Sequence, residues 1–442
     1  MTRQRTLAIG AGAIVLWSLA CSAALAGKYG EIIASIRTGV FEPYRIGVDD
    51  FVSRDPAARP DVSRTAREIS DIIRADLEFS YLFTTRAPDP EYLEVFGVTK
   101  LSLYDWEKLY VGYVLVGEVE VEENSAIIVA YTLYSVHRRL KPEKVFSRKL
   151  RAGLSDVRLL AHSIADGVYH KITDLQGVFR SRIAYSHVDD SVGKEIYICD
   201  FDGHSPLRAT FDRSLNVSPR WASADEISYT SYKRGNPDLW LLDMRQGENT
   251  RICSYPGLNS AAAWSPDGSR YAVTLTKDGD AELYIFRKGS KKGRRVTYSQ
   301  GIDSSPTWSP DGKYLAFTSD RSGTPQIYIM DTDGGNVQRL TYQGGHNDSP
   351  AWSPTLDLIA LVSRGPDGKF NVWTITPNST HLRQLTSVGD NENPQWSPDG
   401  LHIVFSSTRT GEKEIYTMDF TGQNVRRITR GGGNANPSWS PK

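Results

Sequence analysis

Six tryptophans recur at nearly constant spacing through the last half of this chain. They are Trp221, Trp264, Trp308, Trp352, Trp396 and Trp439, separated by 43, 44, 44, 44 and 43 residues. That period is the length of one four-stranded propeller blade. Around the third tryptophan the repeating unit reads SSPTWSPDGKYLAFTSDRSGTPQIYIMDTDGGNVQRLT. Proline and Asp-Gly at fixed offsets set the turns, and the β-branched and aromatic runs between them supply the strands. The pattern predicts an inner segment ending in Trp308, strands at Tyr314–Ser319 and Ile327–Asp331, and a short outer strand at Gln338–Thr341.

The ends of the repeat show how a ring would close. The strand after the turn occurs six times, at Arg182–Ser186, Glu226–Ser231, Tyr271–Thr276, Tyr314–Ser319, Leu358–Ser363 and His402–Ser407. The first copy has no tryptophan segment before it, and the last tryptophan segment has no strand after it. Asn434–Pro441 is therefore expected to be the inner strand of a sixth blade whose other strands come from residues 182–212. Such an interlock removes the open edges that a sheet must otherwise protect. The expected fold class is an α/β N-terminal domain followed by an all-β six-bladed propeller over 179–442, closed by the C-terminal strand.

Residues 1–26 have the form of a cleaved signal peptide. Arg3 and Arg5 precede the apolar run Leu7–Leu19, and Ala24-Leu25-Ala26 forms an A-x-A site. Ser18-Leu19-Ala20-Cys21 loosely matches a lipoprotein box, but cleavage after Ala26 is the expectation, since Ser18 stands where an aliphatic residue is usual. Residues 44–178 lack the repeat and read as α/β. A strand is expected at Tyr44–Val52 and a helix at Ser63–Phe79, where Val62, Ala66, Ile69, Ile73 and Leu77 keep helical spacing and Thr65 with Glu68 would form a capping box. A hairpin of Leu109–Val121 and Ala126–Val136 around residues 122–125, a strand at Lys144–Leu150 and a helix at Asp156–Ile172 follow.

Lys plus Arg equals Asp plus Glu at 52 each, so nothing points to a nucleic-acid or membrane-surface footprint. No G-x-S-x-G elbow, P-loop or H-E-x-x-H appears, and the eight histidines are scattered. Asp200–Gly203 and Asp331–Gly334 resemble the start of a calcium loop, but Ala209 and Leu340 stand where the bidentate glutamate belongs, so both read as hairpin turns. No catalytic residue, cofactor or metal ligand is expected, and no disulfide between Cys199 and Cys253.

One constellation rises above this background. Five residues before each tryptophan stands an Asx: Asn216, Asn259, Asp303, Asn347, Asn391 and Asn434. Proline stands two residues before five of the tryptophans, with Ala262 the exception. Repeat symmetry puts these loops in a ring around the channel mouth. An Asx there either caps its own turn or anchors a polar docking rim. The neighbouring tips vary, including Leu258, Ser260 and Ala261, then Ser304 and Ser305, then His346 and Asp348, then Asp390 and Glu392. Varying tips on repeating anchors suit a protein partner better than a symmetric small ligand.

These WSPDG…IYxMDxDG…RxLT repeats behind an exported α/β domain resemble the TolB family of the Tol–Pal envelope system. The segments Ile72-Ile73-Arg74-Ala75-Asp76-Leu77 and Ile172–Tyr185 are similar to that family's front-domain signatures. The resemblance implies a monomeric, non-enzymatic adaptor in the periplasm that supports outer-membrane integrity and constriction at division. It implies docking of the peptidoglycan-associated lipoprotein Pal on the propeller face around Asn259–Ala261, Ser304-Ser305 and Asn347-Asp348. It also implies that an inner-membrane TolA-like protein engages the segment 27–43, where Glu31, Ile32, Ile33 and Ile36 lie and the isoleucines would pair as an added strand. The chain departs from the family pattern at Asp49-Asp50-Phe51, where an apolar residue and proline usually precede the phenylalanine. The alternatives are a periplasmic propeller hydrolase or lyase, which would need an elbow or convergent ligands, and a sensor whose channel binds a ligand or ion.

Overall fold

The computed structural model describes residues 28–54, 60–98, 100–122, 126–137, 140–189 and 193–441. The expected signal peptide, Cys21, Gly27 and the turn residues 123–125 lie outside them. The chain divides into two compact units, 1–78 with 82–177, and 79–81 with 178–442.

The first unit is built on one sheet. Its strands are β1 (Tyr44–Val48), β2 (Val52–Ser53), β3 (Phe83–Arg86), β4 (Tyr113–Val121), β5 (Ala126–Ser135) and β6 (Glu143–Gly153). They run in the order β3-β1-β4-β5-β6, with β2 beside β4. β1 is parallel to both its neighbours, whereas β4, β5 and β6 are antiparallel. The helix Pro60–Phe79 buries Val62, Ala66, Ile69, Ile73 and Leu77, the stripe read from its spacing. The helix Val157–Thr173 buries Leu160, Ile164, Val168 and Ile172 in the same way.

Two expectations need correction here. The helix starts at Pro60, so Thr65 is interior and its hydroxyl donates back to Asp61 O rather than forming a capping box with Glu68. The strand expected over Tyr44–Val52 breaks after Val48, because Asp49 and Asp50 turn out of the ladder. Arg74 secures that break by donating to Val48 O at 2.8 Å and to Asp50 Oδ1 at 2.5 Å, while Phe51 N donates to Ser70 Oγ. The segment expected to engage a partner contains the helix Lys28–Thr38, which lies against Val157–Thr173 with Ile32, Ile33 and Ile36 buried and Glu31 exposed. Residues i, i+1 and i+4 share one face of a helix, whereas a strand would send Ile33 to the face opposite Ile32 and Ile36.

The second unit is six four-stranded antiparallel sheets. Their inner strands are Asn216–Trp221, Asn259–Trp264, Asp303–Trp308, Asn347–Trp352, Asn391–Trp396 and Asn434–Trp439, which define blades I to VI. Blade VI joins the two ends of the repeat: Asn434–Trp439 pairs with Arg182–Asp189, Trp439 opposite Ile183 and Asn434 opposite His187. Ser440 N donates to Arg182 O at 2.8 Å, and Arg182 N donates to Ser440 Oγ at 2.9 Å. The turns at Asp200–Gly203 and Asp331–Gly334 join antiparallel strands, as read.

The core runs between blades. Leu283 and Val296 of blade II pack with Trp308, Leu315, Phe317 and Met330 of blade III. Among the tryptophans, Trp308, Trp396 and Trp221 bond backwards around the ring: Trp308 Nε1 donates to Ala263 O at 2.8 Å, Trp396 Nε1 to Ala351 O at 2.9 Å and Trp221 Nε1 to Ser438 O at 3.0 Å. Trp439 Nε1 donates to Ser181 Oγ at 2.7 Å, beside the start of Arg182–Asp189 in its own blade. A buried indole needs such a partner for its N–H. Cys199 and Cys253 are free and buried.

Candidate docking face and channel

Every inner strand opens with the same irregularity. Its ladder to the second strand shifts register between the residue after the Asx and the residue before the tryptophan. At the centre of each shift sits a non-glycine residue in the left-handed region: Ser218, Ala261, Ser305, Ser349, Asn393 and Asn436, with φ of 54°, 55°, 53°, 52°, 53° and 52°. A bulge of this kind bends the strand and re-aims side chains, and an L residue held there stores backbone strain. The following proline, absent only at Ala262, has no N–H to lose from the ladder.

The six Asx anchor these bulges and are buried. Asn216 Nδ2 donates to Glu195 Oε2 at 2.7 Å, and Asn434 Nδ2 to Glu414 Oε2 at 2.7 Å. Asn347 Nδ2 donates to Gln326 Oε1 at 2.9 Å, and Asn391 Nδ2 to Asn371 Oδ1 at 3.2 Å. Asn259 Nδ2 instead donates to Tyr255 O at 2.7 Å, while Asp303 accepts Arg321 Nη2 at 2.9 Å. The same third-strand residue also accepts from the threonine ending the outer strand, as Thr429 to Glu414 at 2.5 Å and Thr341 to Gln326 at 2.8 Å. Arg208, Arg295 and Arg427 complete the clasp on Glu195, Glu282 and Glu414. Asn216, Asn347, Asn391 and Asn434 thus tie one blade's third strand to the next blade's inner strand, Asn259 ties the crossover loop before it, and Asp303 is held by Arg321 of its own blade. These side chains are taken up by such bonds rather than by their own backbone two residues on, and what faces solvent is the loop around them.

That loop surface differs from the polar rim expected. Leu258, Ser304, Ser305, Ala261 and Asp348 are half-buried. Asp348 accepts from Thr318 Oγ1 at 2.7 Å. Exposed apolar side chains stand on the same outer-to-inner crossovers: Phe211, Leu215, Tyr298, Ile302, Tyr342 and Val388. Arg208, Arg295 and Arg339 lie over the rings of Phe211, Tyr298 and Tyr342 at 4.8, 4.7 and 5.1 Å. The sequence carried a signal for the aromatics, a ring directly after each of Thr210, Thr297 and Thr341, which the strand pattern masks.

Inside the ring lies a cavity of about 420 Å3. It is lined by the bulge residues, by prolines and tryptophans, and by Arg220, Thr307, Gln395 and Ser438, each of which precedes a tryptophan. Arg220 is the one charged lining residue. No cluster of His, Cys, Asp or Glu suited to a metal ion occurs among the described residues.

A closed six-bladed propeller with anchored crossover loops, preceded in sequence by an α/β unit, defines a scaffold class in which one ring face presents loops. Residues 169–442 match the TolB beta propeller domain and residues 33–141 the TolB amino-terminal domain. The chain belongs to the TolB family. It is 38% identical over 218 residues to a Tol-Pal system protein TolB of Desulfosudis oleivorans, covering 48% of each chain. A Tol-Pal system protein TolB of Alcanivorax borkumensis is 28% identical over 267 residues, with 59% of this chain and 57% of that protein covered. The matches thus span about half the length of these curated relatives. The crystal structure of TolB from Acinetobacter baumannii superposes with a TM-score of 0.77 at 27% identity, over 91% of this chain and 97% of that one.

Proposed function

We propose that the protein is a non-enzymatic periplasmic adaptor. It docks the peptidoglycan-associated lipoprotein Pal on the propeller's crossover-loop face and engages an inner-membrane TolA-like protein through residues 27–43. In that role it supports envelope integrity and constriction. The observation that carries the reading is the loop face itself: six exposed apolar side chains on a ring whose loops are fixed by buried Asx clasps. Exposed apolar groups on a rigid scaffold favour protein docking, because burying them on association is favourable and little ordering entropy is lost. The contact residues are the tips, Leu258, Ala261, Ser304, Ser305 and Asp348 together with the apolar set, while Asn216, Asn259, Asp303, Asn347, Asn391 and Asn434 hold them in place. For the N-terminal segment, Ile32, Ile33 and Ile36 are buried in the helical form, so strand pairing with a partner requires that helix to detach. The adaptor is expected to work as a monomer with no cofactor.

The test is recovery of partners from solubilised envelope with two baits, residues 27–442 and residues 44–442. A peptidoglycan-binding lipoprotein on both baits, and an inner-membrane partner on the longer one alone, is the expected outcome. Recovery of neither refutes the adaptor reading.

A further inference from the structure

We propose that the propeller channel is a carboxylate-binding site centred on Arg220. The position before the tryptophan is Ala263, Thr307, Ala351, Gln395 and Ser438 in blades II to VI, and only blade I places a charge there. The Arg220 guanidinium lines the cavity and donates to Pro219 O at 2.9 Å and Pro437 O at 3.4 Å, both backbone carbonyls. No carboxylate among the described residues pairs with it. Arg208, Arg295, Arg321 and Arg427 each sit on a buried carboxylate, Glu195, Glu282, Asp303 and Glu414. Arg270 and Arg409, like Arg220, bond neutral oxygens, but neither lines the cavity. Removing a guanidinium from water without a counter-ion is costly, and a bound anion would relieve that cost.

Burial lowers the Arg220 pKa to about 10, which leaves it charged at neutral pH. The surroundings suit a small planar anion. Ser218, Asn393, Asn436 and Gln395 line the same cavity with hydroxyl and amide groups. The volume of about 420 Å3 falls in the range of small-ligand sites. A carboxylate matches both the guanidinium fork and its single charge, whereas a phosphate dianion would keep an unneutralised charge in the cavity. Two sources share this chemistry, a free small carboxylate and a glutamate or aspartate side chain on a docked segment. The site stands apart from the question of which protein docks on the loop face.

The experiment follows indole fluorescence, since Trp221, Trp264, Trp308 and Trp439 also line the cavity. The protein is titrated at constant ionic strength with propionate, with a capped Gly-Ser-Glu-Ser-Gly peptide and with its glutamine counterpart. A saturable response to propionate or to the glutamate peptide, weakened about tenfold or more in Arg220→Gln, is expected from the loss of a charged hydrogen-bonded pair. Propionate alone would identify a metabolite site, and the glutamate peptide alone a partner side chain. Asn436→Asp is the second variant. It places a near-isosteric carboxylate in the same cavity at a left-handed position that tolerates aspartate, and should abolish the response while the protein stays folded. The proposal is overturned if neither carboxylate gives a saturable response, or if Arg220→Gln and Asn436→Asp respond like the parent.

Discussion

Truncating Trp439 tests the closure of the ring at its seam. The side chain is 6% exposed and its indole N–H donates to Ser181 Oγ at 2.7 Å, so one residue joins the last strand to the segment that opens the first. Trp439→Ala removes a buried ring and leaves a cavity, a change that typically costs about 3–5 kcal/mol. A stability of about 5–15 kcal/mol is ordinary for a folded domain, so the loss is a large share of it. At roughly 2–4 °C per kcal/mol for a domain of this size, the melting temperature should fall by roughly 6–20 °C. Trp439→Phe keeps much of the ring and loses chiefly the hydrogen bond, worth about 1 kcal/mol. Deleting residues 434–442 should be worse than either, because it bares the edge of Arg182–Asp189. Differential scanning calorimetry and far-ultraviolet circular dichroism read all three. A Trp439→Ala protein melting within 2 °C of the parent, or a truncation that melts like it, refutes the closure argument.

The buried carboxylates of the clasps predict opposite pH responses. Burial alone pushes the Glu414 carboxyl up, but donors from Thr429, Gly432, Arg427 and Asn434 outweigh it and hold the pKa below the usual value. A lowered folded pKa gives stability that is present above the unfolded value and lost as pH falls through the folded one, so Glu414→Gln should lower the melting temperature at pH 7, and the difference from the parent should shrink as pH falls through the folded value. Burial raises Glu282 against the pull of Thr297 and Arg295, so its contribution falls as pH rises from the unfolded value through the folded one. Glu282→Gln should therefore cost less than Glu414→Gln at pH 7 in the same melts. At the bulges, Ala261→Val forces a β-branched residue to φ near 55° and should destabilise by about 1–3 kcal/mol in urea titrations, whereas Ala261→Gly should not. An unchanged midpoint for Ala261→Val contradicts the strain argument.

The propeller was legible because its signals are local and repeated sixfold. Tyr314–Ser319 is bounded by an Asp-Gly turn on one side and a polar loop on the other, and the strand appears with those limits. The first unit was less so, since its elements occur once. The helices Pro90–Phe96 and Leu103–Lys108 went unread, although Asp89 and Ser102 cap them and Ser102 with Asp105 forms a capping box. Short helices carry too few turns for periodicity, so the cap is their main sequence mark. The site was half legible. The Asx ring was found at once, but its burial was not, because capping and contact need the same residue types. Arg220 was invisible, since a lone arginine means little until the ring sets it against five neutral equivalents.

The most direct test of the adaptor account is titration of purified Pal against the parent protein and two variants, read by calorimetry. Ile302→Asp alters an exposed apolar side chain on the crossover-loop face, and Lys313→Glu alters an exposed residue just after the Ser-Pro-Asp-Gly turn at the other end of the inner strand. The account predicts that Ile302→Asp weakens binding at least about tenfold, as for a central apolar contact, and that Lys313→Glu leaves it within about twofold. Equal affinity for all three proteins, or a loss confined to Lys313→Glu, would contradict docking on this face.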